Sequence, residues 1–304
     1  MNYRLGVDGG GTKTEAVLVE KGGAEVARRI GPGCNPSIVG TAESKRVVAE
    51  LIRGLLAPTV AKDPALRIDT TLLCMAGSRG YWQEFAGGLV TFGHVVAVDD
   101  SLPVLELATG GGPGLVLHAG TGSFVAARSG KPSTERFGDV HYAGGLGWRF
   151  GDPGSGYDLG RDAIARGMLE LQGWLPPSGI GPFLKEHTGL PEAGAISRFF
   201  YNDSVSNPKI AQLAPGILEL AGRGDEAARE IVTASAGHLL DLGLRVAAKL
   251  FPGTAQADIP AGLSGPILNH PFVRETLAAR SPLKFRPITA APIEGVKTLL
   301  ARMP

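Results

Sequence analysis

The sequence carries one short pattern twice: an apolar, strand-like run, a glycine-threonine turn, and a second apolar run. Tyr3-Arg4-Leu5-Gly6-Val7-Asp8 enters the first turn, Gly9-Gly10-Gly11-Thr12-Lys13, and Thr14-Glu15-Ala16-Val17-Leu18-Val19-Glu20 leaves it. Gly114-Leu115-Val116-Leu117-His118-Ala119 enters the second, Gly120-Thr121-Gly122, and Ser123-Phe124-Val125-Ala126-Ala127-Arg128 leaves it. Gly11 and Gly120 are 109 positions apart, as are Thr12 and Thr121 (120 − 11 and 121 − 12). Short apolar runs bounded by such turns read as strands joined in hairpins. A repeat on this scale reads as a weak internal duplication, two halves each contributing a β-turn-β loop to a shared cleft.

Around these hairpins the sequence alternates strands and helices. A third strand is predicted at 25–31, closing an antiparallel meander. Helical spacing follows at 41–57, with Thr41 as N-cap and Pro58 as the stop. Buried strands are predicted at 71–76 and 94–98 and a helix at 101–109. Beyond residue 155 apolar spacing is helical near 157–171, 179–187, 192–200, 209–221 and 225–251. Strands follow at 257–264 and 285–289, and helices at 266–280 and 293–302. The class is α/β, in two domains, 1–112 and 113–304, divided in Thr109-Gly110-Gly111-Gly112-Pro113. The last helix is expected to pack back on the first domain.

Composition narrows the functions. Thirty Lys and Arg face 29 Asp and Glu, a net charge of +1, so no general attraction to nucleic acid or an anionic membrane is expected. The start lacks the apolar run of a signal peptide, and no run of about 18 apolar residues suggests a span; the expected location is cytoplasmic. Cys34 and Cys74 form no paired motif, and the six histidines show no ligand spacing.

Glycine, at 45 residues, is the excess that matters, because it clusters. Glycine lets a ligand approach the backbone and leaves N–H groups free to face an anion. In the first turn Gly10, Gly11, Thr12, Lys13 and Thr14 are candidates to hold phosphate. Asp8 at the strand end is placed to hold Mg²⁺, through water. The loop is neither GxxxxGK[ST] nor a GxGxxG opening a helix. Gly120, Thr121, Gly122 and Ser123 repeat that chemistry. Val98-Asp99-Asp100-Ser101 puts two carboxylates at a strand end. One of them could take the proton of an attacking hydroxyl, or Asp100 or Ser101 could simply cap the next helix. In Gly144-Gly145-Leu146-Gly147-Trp148-Arg149-Phe150-Gly151-Asp152-Pro153-Gly154-Ser155-Gly156, Asp152 suits a pair of sugar hydroxyls, although Asp152-Pro153-Gly154-Ser155 is also a good turn. Asn35 is either a sugar contact or an Asn-Pro turn.

Together these motifs, in this order over about residues 4–160 and more weakly beyond, resemble the BadF/BadG/BcrA/BcrD-type ATPase family, most closely its N-acetylglucosamine kinase branch. The resemblance implies two ribonuclease-H-like domains of the actin/hexokinase type around an ATP cleft. It implies phosphorylation of an amino sugar, N-acetylglucosamine or glucosamine, at the 6-hydroxyl, with ATP and Mg²⁺ as cofactors. Asp100 would be the base, and Thr12 and Thr121 with their loops would hold phosphates. Asp8 would orient Mg²⁺, and Asn35, Gly144, Gly145 and Asp152 would line the sugar site. Ser264 and Gly265 fall where the family has an adenosine loop. The partners implied are a small sugar and a second copy of the chain in a homodimer. Asp99 stands where the family usually has Asn, Ser101 where it has Ala, Pro153 where it has an acidic residue, and Pro266 where it has a glycine. An N-acetylmuramic acid kinase and a non-catalytic sensor of the same fold are the other readings. Activators of radical dehydratases and ROK-type kinases need cysteine clusters that this sequence lacks.

Overall fold

The computed structural model describes residues 2–131, 133, 136–201 and 206–303. In chain order the elements are β1 Asn2–Gly9, β2 Lys13–Glu20, β3 Glu25–Pro32, α1 Pro36–Val39, α2 Thr41–Lys62, β4 Arg67–Met75, α3 Arg79–Gly87, β5 His94–Asp99 and α4 Ser101–Thr109. There follow β6 Gly114–Ala119, β7 Ser123–Arg128, β8 Val140–Gly144, α5 Gly156–Leu171, α6 Ile180–Thr188, α7 Ala193–Tyr201, α8 Ser206–Ala211, α9 Ala214–Gly222 and α10 Glu226–Leu250. The chain ends with β9 Ala261–Ser264, α11 Pro271–Arg280, β10 Phe285–Ile288 and α12 Pro292–Ala301. They group into two compact units, Met1–Gly110 with Ala290–Pro304, and Gly111–Thr289.

Each unit is built on a five-stranded sheet, and the two sheets share one topology. The first runs β3-β2-β1-β4-β5 and the second, from the same starting edge, β8-β7-β6-β9-β10. In each, the first three strands in sequence form an antiparallel meander. The next two lie parallel beside the first of them. This is the ribonuclease-H-like α/β arrangement, made twice. The duplication is a backbone fact as well as a sequence pattern.

In the first unit β1 is buried on both faces. Val47, Val48, Leu51, Ile52 and Leu55 of α2 share one core with Leu5, Val7, Ala16 and Leu18. On the other side α12 packs against β1 and α4, which requires glycine at two points. A Cβ on Gly6 would lie 2.7 Å from Val296, and one on Gly295 would lie 2.1 Å from the Pro103 carbonyl oxygen. Arg4 ties the arrangement by donating to the Leu300 carbonyl at 2.7 Å.

The second core lies between its sheet and the helices. The inner residues of α10, among them Val232, Ala236, Leu239 and Leu240, meet Leu115, Leu117 and Val125. Among the described residues α10 alone is long and apolar enough to cross a membrane by length and composition, and 44% of that window is buried inside the fold.

Several local expectations needed correction. Pro58 does not stop α2, which runs four residues further, to Lys62. The carbonyl that Pro58 deprives of its N–H partner, that of Gly54, is met at 3.4 Å by Arg29. Gly40, not Thr41, is the cap residue. The predicted helix 209–221 is two helices, because Pro215 can sit in the first turn of α9 but not inside a continuous helix. The predicted strand 257–264 is reduced to β9, after a 3₁₀ turn at Gln256–Asp258. Pro271 likewise opens α11 five residues later than expected. The short edge strand β8 and the helix α3 were not anticipated.

The tight crossing at Gly295 should be sensitive. Gly295→Ala is expected to destabilise by about 1–3 kcal/mol through overpacking, lowering Tm by several degrees in calorimetry. Gly22→Ala, whose Cβ would meet nothing within 4 Å, should leave Tm unchanged.

Candidate functional site

In the first unit the candidate residues gather at one end of the sheet. Asp8 is the penultimate residue of β1, facing Glu15 across the hairpin and Cys74 on β4. The turn beyond it is fixed by its backbone. Gly10 N–H donates to the Lys13 carbonyl at 2.9 Å, and the Gly10 carbonyl accepts from Cys34 N–H at 3.0 Å. Gly33 must lack a side chain, since its Cβ would lie 2.1 Å from the Gly11 carbonyl oxygen. Among the described residues Gly11 N–H has no partner within the chain.

Not every loop residue points the same way. Lys13 Nζ is 3.0 Å from the buried Glu15, which Arg28 also contacts at 3.2 Å. Thr14 donates its hydroxyl to the Pro32 carbonyl at 2.7 Å. These two side chains brace the hairpin. Asn35 caps α1 by accepting from Ser37 N–H at 3.0 Å, so the Asn-Pro turn is formed.

Asp100 sits at the N-cap of α4, yet its carboxylate makes no capping bond. The group is half-buried beside Asp99. Burial first, then the Asp99 charge, pushes its pKa up to about 7, against the opposing pull of the N–H groups of Asp100 and Ser101. Asp8 is also pushed up to about 7, by burial and then by the Asp100 charge; Lys13 offsets part of this, and Glu15 adds to it. Two carboxyls held up in this way, Asp8 in part by the Asp100 charge, form a place where a cation would be welcome. Among the described residues no cluster of three or more His, Cys, Asp or Glu forms a protein cage for a metal.

In the second unit the hairpin of β6 and β7 is held in the same way. Gly120 N–H donates to the Gly122 carbonyl at 2.8 Å, and the Gly120 carbonyl accepts from Gly156 N–H at 2.8 Å. The Ser123 hydroxyl donates to the Pro153 carbonyl at 2.6 Å. The loop 152–156 is thereby laid against the turn 120–122. Its Asp152 carboxylate lies 3.0 Å from where a Cβ on Gly122 would stand. One Asp152 oxygen is buried without a hydrogen-bond partner, and burial lifts this carboxyl to about 6, against the pull of the Gly147 N–H and with the nearby Asp158 adding to it. A buried, unsatisfied carboxylate oxygen is costly and points to a missing donor.

The loop is anchored from below. Ser155 caps α5 by accepting from Asp158 N–H at 3.1 Å; Asp158 and Ser235 both accept from Gly154 N–H at 3.1 Å, and Arg161 pairs with Asp158 at 2.6 Å. Gly144 ends β8 opposite Phe124, and Gly145 follows with φ +61°, its Cα side covered by the Tyr142 ring. Ser264 ends β9 opposite His118, and Gly265 takes φ +90° where a Cβ would strike the Ala119 carbonyl oxygen at 2.1 Å. The Cδ of Pro266 lies 4.0 Å from a Cβ placed on Gly120. So Gly120–Ser123, Gly144, Gly145, Asp152, Ser264 and Gly265 meet at one end of the second sheet. Three contributors escaped the sequence reading: His118, the Glu15 ion-pair group, and the Ser155–Asp158–Ser235 anchor. Only the last had a readable signal, the Ser-x-x-Asp spacing of a capping box.

Residues 5–258 match the model of the BadF/BadG/BcrA/BcrD ATPase family. The chain belongs to that family. Within it, an N-acetyl-D-glucosamine kinase of Dictyostelium discoideum is 29% identical over 81% of this chain and 79% of its own length. An N-acetylmuramic acid/N-acetylglucosamine kinase of Clostridium acetobutylicum is 28% identical over 79% and 77%. Among solved structures, a candidate N-acetylglucosamine kinase from Chromobacterium violaceum superposes with a TM-score of 0.77 at 25% identity, covering 98% of both chains.

The raised carboxyls give this member of the family a stability signature. A carboxyl whose folded pKa is above its unfolded value favours the fold while protonated, and that contribution is lost as pH rises toward the folded pKa. Asp100→Asn should therefore be stabilising relative to the parent, with little difference at pH 4 and a growing one up to about pH 7. Tm measured across that range checks the slope. A difference constant with pH would contradict the raised pKa.

Proposed function

We propose that this chain transfers the γ-phosphoryl group of ATP to the 6-hydroxyl of an amino sugar, N-acetylglucosamine or glucosamine. The observation that carries the reading is Asp100: a carboxylate at a helix N-terminus, not used as a cap, and poised near neutrality. Membership of an ATPase family and relatives that are N-acetylglucosamine kinases support the nucleotide and the sugar class.

In this reading Asp100 accepts the proton of the 6-hydroxyl as its oxygen attacks the γ-phosphorus. The bond from the γ-phosphorus to the bridging oxygen breaks, ADP departs, and Asp100 returns the proton to solvent. Asp8 is the residue that would hold Mg²⁺, which when bound would supply charge neutralisation at the phosphates. Thr12 and Thr121, with the N–H groups of Gly11 and Gly122, supply phosphate donors. Asp152, whose buried oxygen lacks a donor, takes sugar hydroxyls. Gly144 and Gly145 admit the ring to the backbone, and Asn35 offers its remaining amide. The Clostridium relative favours N-acetylmuramic acid as the second substrate to try.

ADP release with MgATP against N-acetylglucosamine, glucosamine, N-acetylmuramic acid and glucose tests this directly. Sugar-dependent turnover is expected, falling about 10²–10⁴-fold in Asp100→Asn, the usual worth of a general base. ATP binding without turnover on any sugar would leave a sensor instead. Turnover indifferent to Asp100→Asn would remove Asp100 as the base.

The pH profile is a separate prediction. The base must be ionised, so kcat/KM should rise with pH through about 7. Asp99→Asn removes a charge that raises the Asp100 pKa, so the acidic limb should move to lower pH. A limb that stays in place would show that Asp99 does not tune the base.

A further inference from the structure

His118 stands where the second unit repeats the position of Asp8. Each is the penultimate residue of its strand, before a glycine-threonine turn, and each faces the neighbouring parallel strand at its end: Asp8 faces Cys74, and His118 faces Ser264. The proposed chemistry uses Asp8 and leaves His118 without a task.

Its surroundings are specific. The imidazole stacks on Phe124, with centroids 4.8 Å apart and planes 18° from parallel, and Phe124 in turn stacks on Tyr142 at 5.3 Å. Nδ1 is 3.2 Å from the Ser264 hydroxyl. Nε2 lies 3.6 Å from the Cβ position of Gly120, at the mouth of the turn that runs to Gly122. Among the described residues Nε2 has no partner. Burial holds the pKa of the ring down at about 4, so near pH 7 it is neutral and carries a single N–H. If the Ser264 hydroxyl donates to Nδ1, that proton resides on Nε2 and faces the turn.

We infer that His118 is a nucleotide-binding residue: its Nε2–H donates to a phosphate oxygen held by the Gly120–Gly122 turn, while the Ser264 hydroxyl donates to Nδ1. This rests on the proposed function in taking that turn as a phosphate site. It adds a donor aimed by stacking rather than by a flexible stem. It also gives Ser264 the task of orienting the ring.

The test reads nucleotide binding without sugar or turnover, by calorimetric titration of the full chain with MgADP. His118→Phe keeps the stack and removes the donor, and should weaken binding roughly tenfold to a hundredfold, the loss of one hydrogen bond to a charged group. His118→Gln, which can place an amide N–H near the Nε2 position, should recover binding to within about threefold of the parent. In turnover, the KM for the sugar should be unchanged in both. Binding within twofold of the parent in His118→Phe would overturn the assignment. So would equal weakening in both variants, which would mark a packing role, and a Tm measurement on each would show the accompanying loss of stability. A parent chain that binds no MgADP would sink both the proposed function and the His118 assignment. MgADP binding without any sugar turnover would sink that function yet leave the His118 assignment standing.

Discussion

The molecule depends on four backbone hydrogen bonds that hold two glycine turns still. At the end of β1, Gly9 and Gly10 offer their carbonyls to Ala76 and Cys34; at the end of β6, Ala119 and Gly120 offer theirs to Ile267 and Gly156. Glycine turns are floppy by nature, and an anion site built on them would lose affinity to ordering entropy. With the carbonyls drawn back into the fold, the turns are held on a fixed frame, and among the described residues the N–H groups of Gly11 and Gly122 have no partner within the chain. The same bonds bring in the segments around Cys34, Ala76, Gly156 and Ile267, and these contain Asn35, the loop 152–156 and the turn at Gly265. Each sheet end thus becomes a site because its central hairpin recruits its neighbours.

The two units are repeats, but the repeat is uneven in informative ways. Between the last paired residues of the hairpins, four residues turn in the first unit and three in the second. The carboxylate end of β1 is replaced in β6 by a neutral imidazole. The first unit concentrates negative charge, with Asp99 acting on Asp100 and Asp100 on Asp8, and the second presents donors and one orphaned carboxylate oxygen. A duplicated scaffold has been given two different electrostatic jobs.

Much of this was legible in the residues. The three strands of the first meander, the first two of the second, the turns and the carboxylate at residue 100 follow from local patterns of apolar runs, glycine and acid, and local patterns need no tertiary knowledge. What was lost depended on partners distant in sequence. Pro58 reads as a stop unless Arg29, on another element, is known to meet the freed Gly54 carbonyl. The strand at 140–144 reads as loop because an edge strand with exposed His141 and Tyr142 shows no buried alternation. His118 reads as one scattered histidine because its meaning lies in Ser264, far along the chain. The side chains of Lys13 and Thr14 sit in a phosphate-like motif, yet Glu15 and Pro32 claim them.

The first unit is discontinuous: its sheet comes from the start of the sequence and α12, which covers Gly6 and crosses α4, from the end. During synthesis β1 therefore leaves the ribosome long before the helix that seals one of its faces, and the whole second unit is made in between. The earlier sheet must wait with an apolar side uncovered, while the later unit has all of its own parts in one unbroken stretch. Order of synthesis and order of completion are thus reversed, with the unit begun first being the one finished last. A chain stalled before its last turns of helix would carry a second unit able to close and a first unit open to chaperones and proteases.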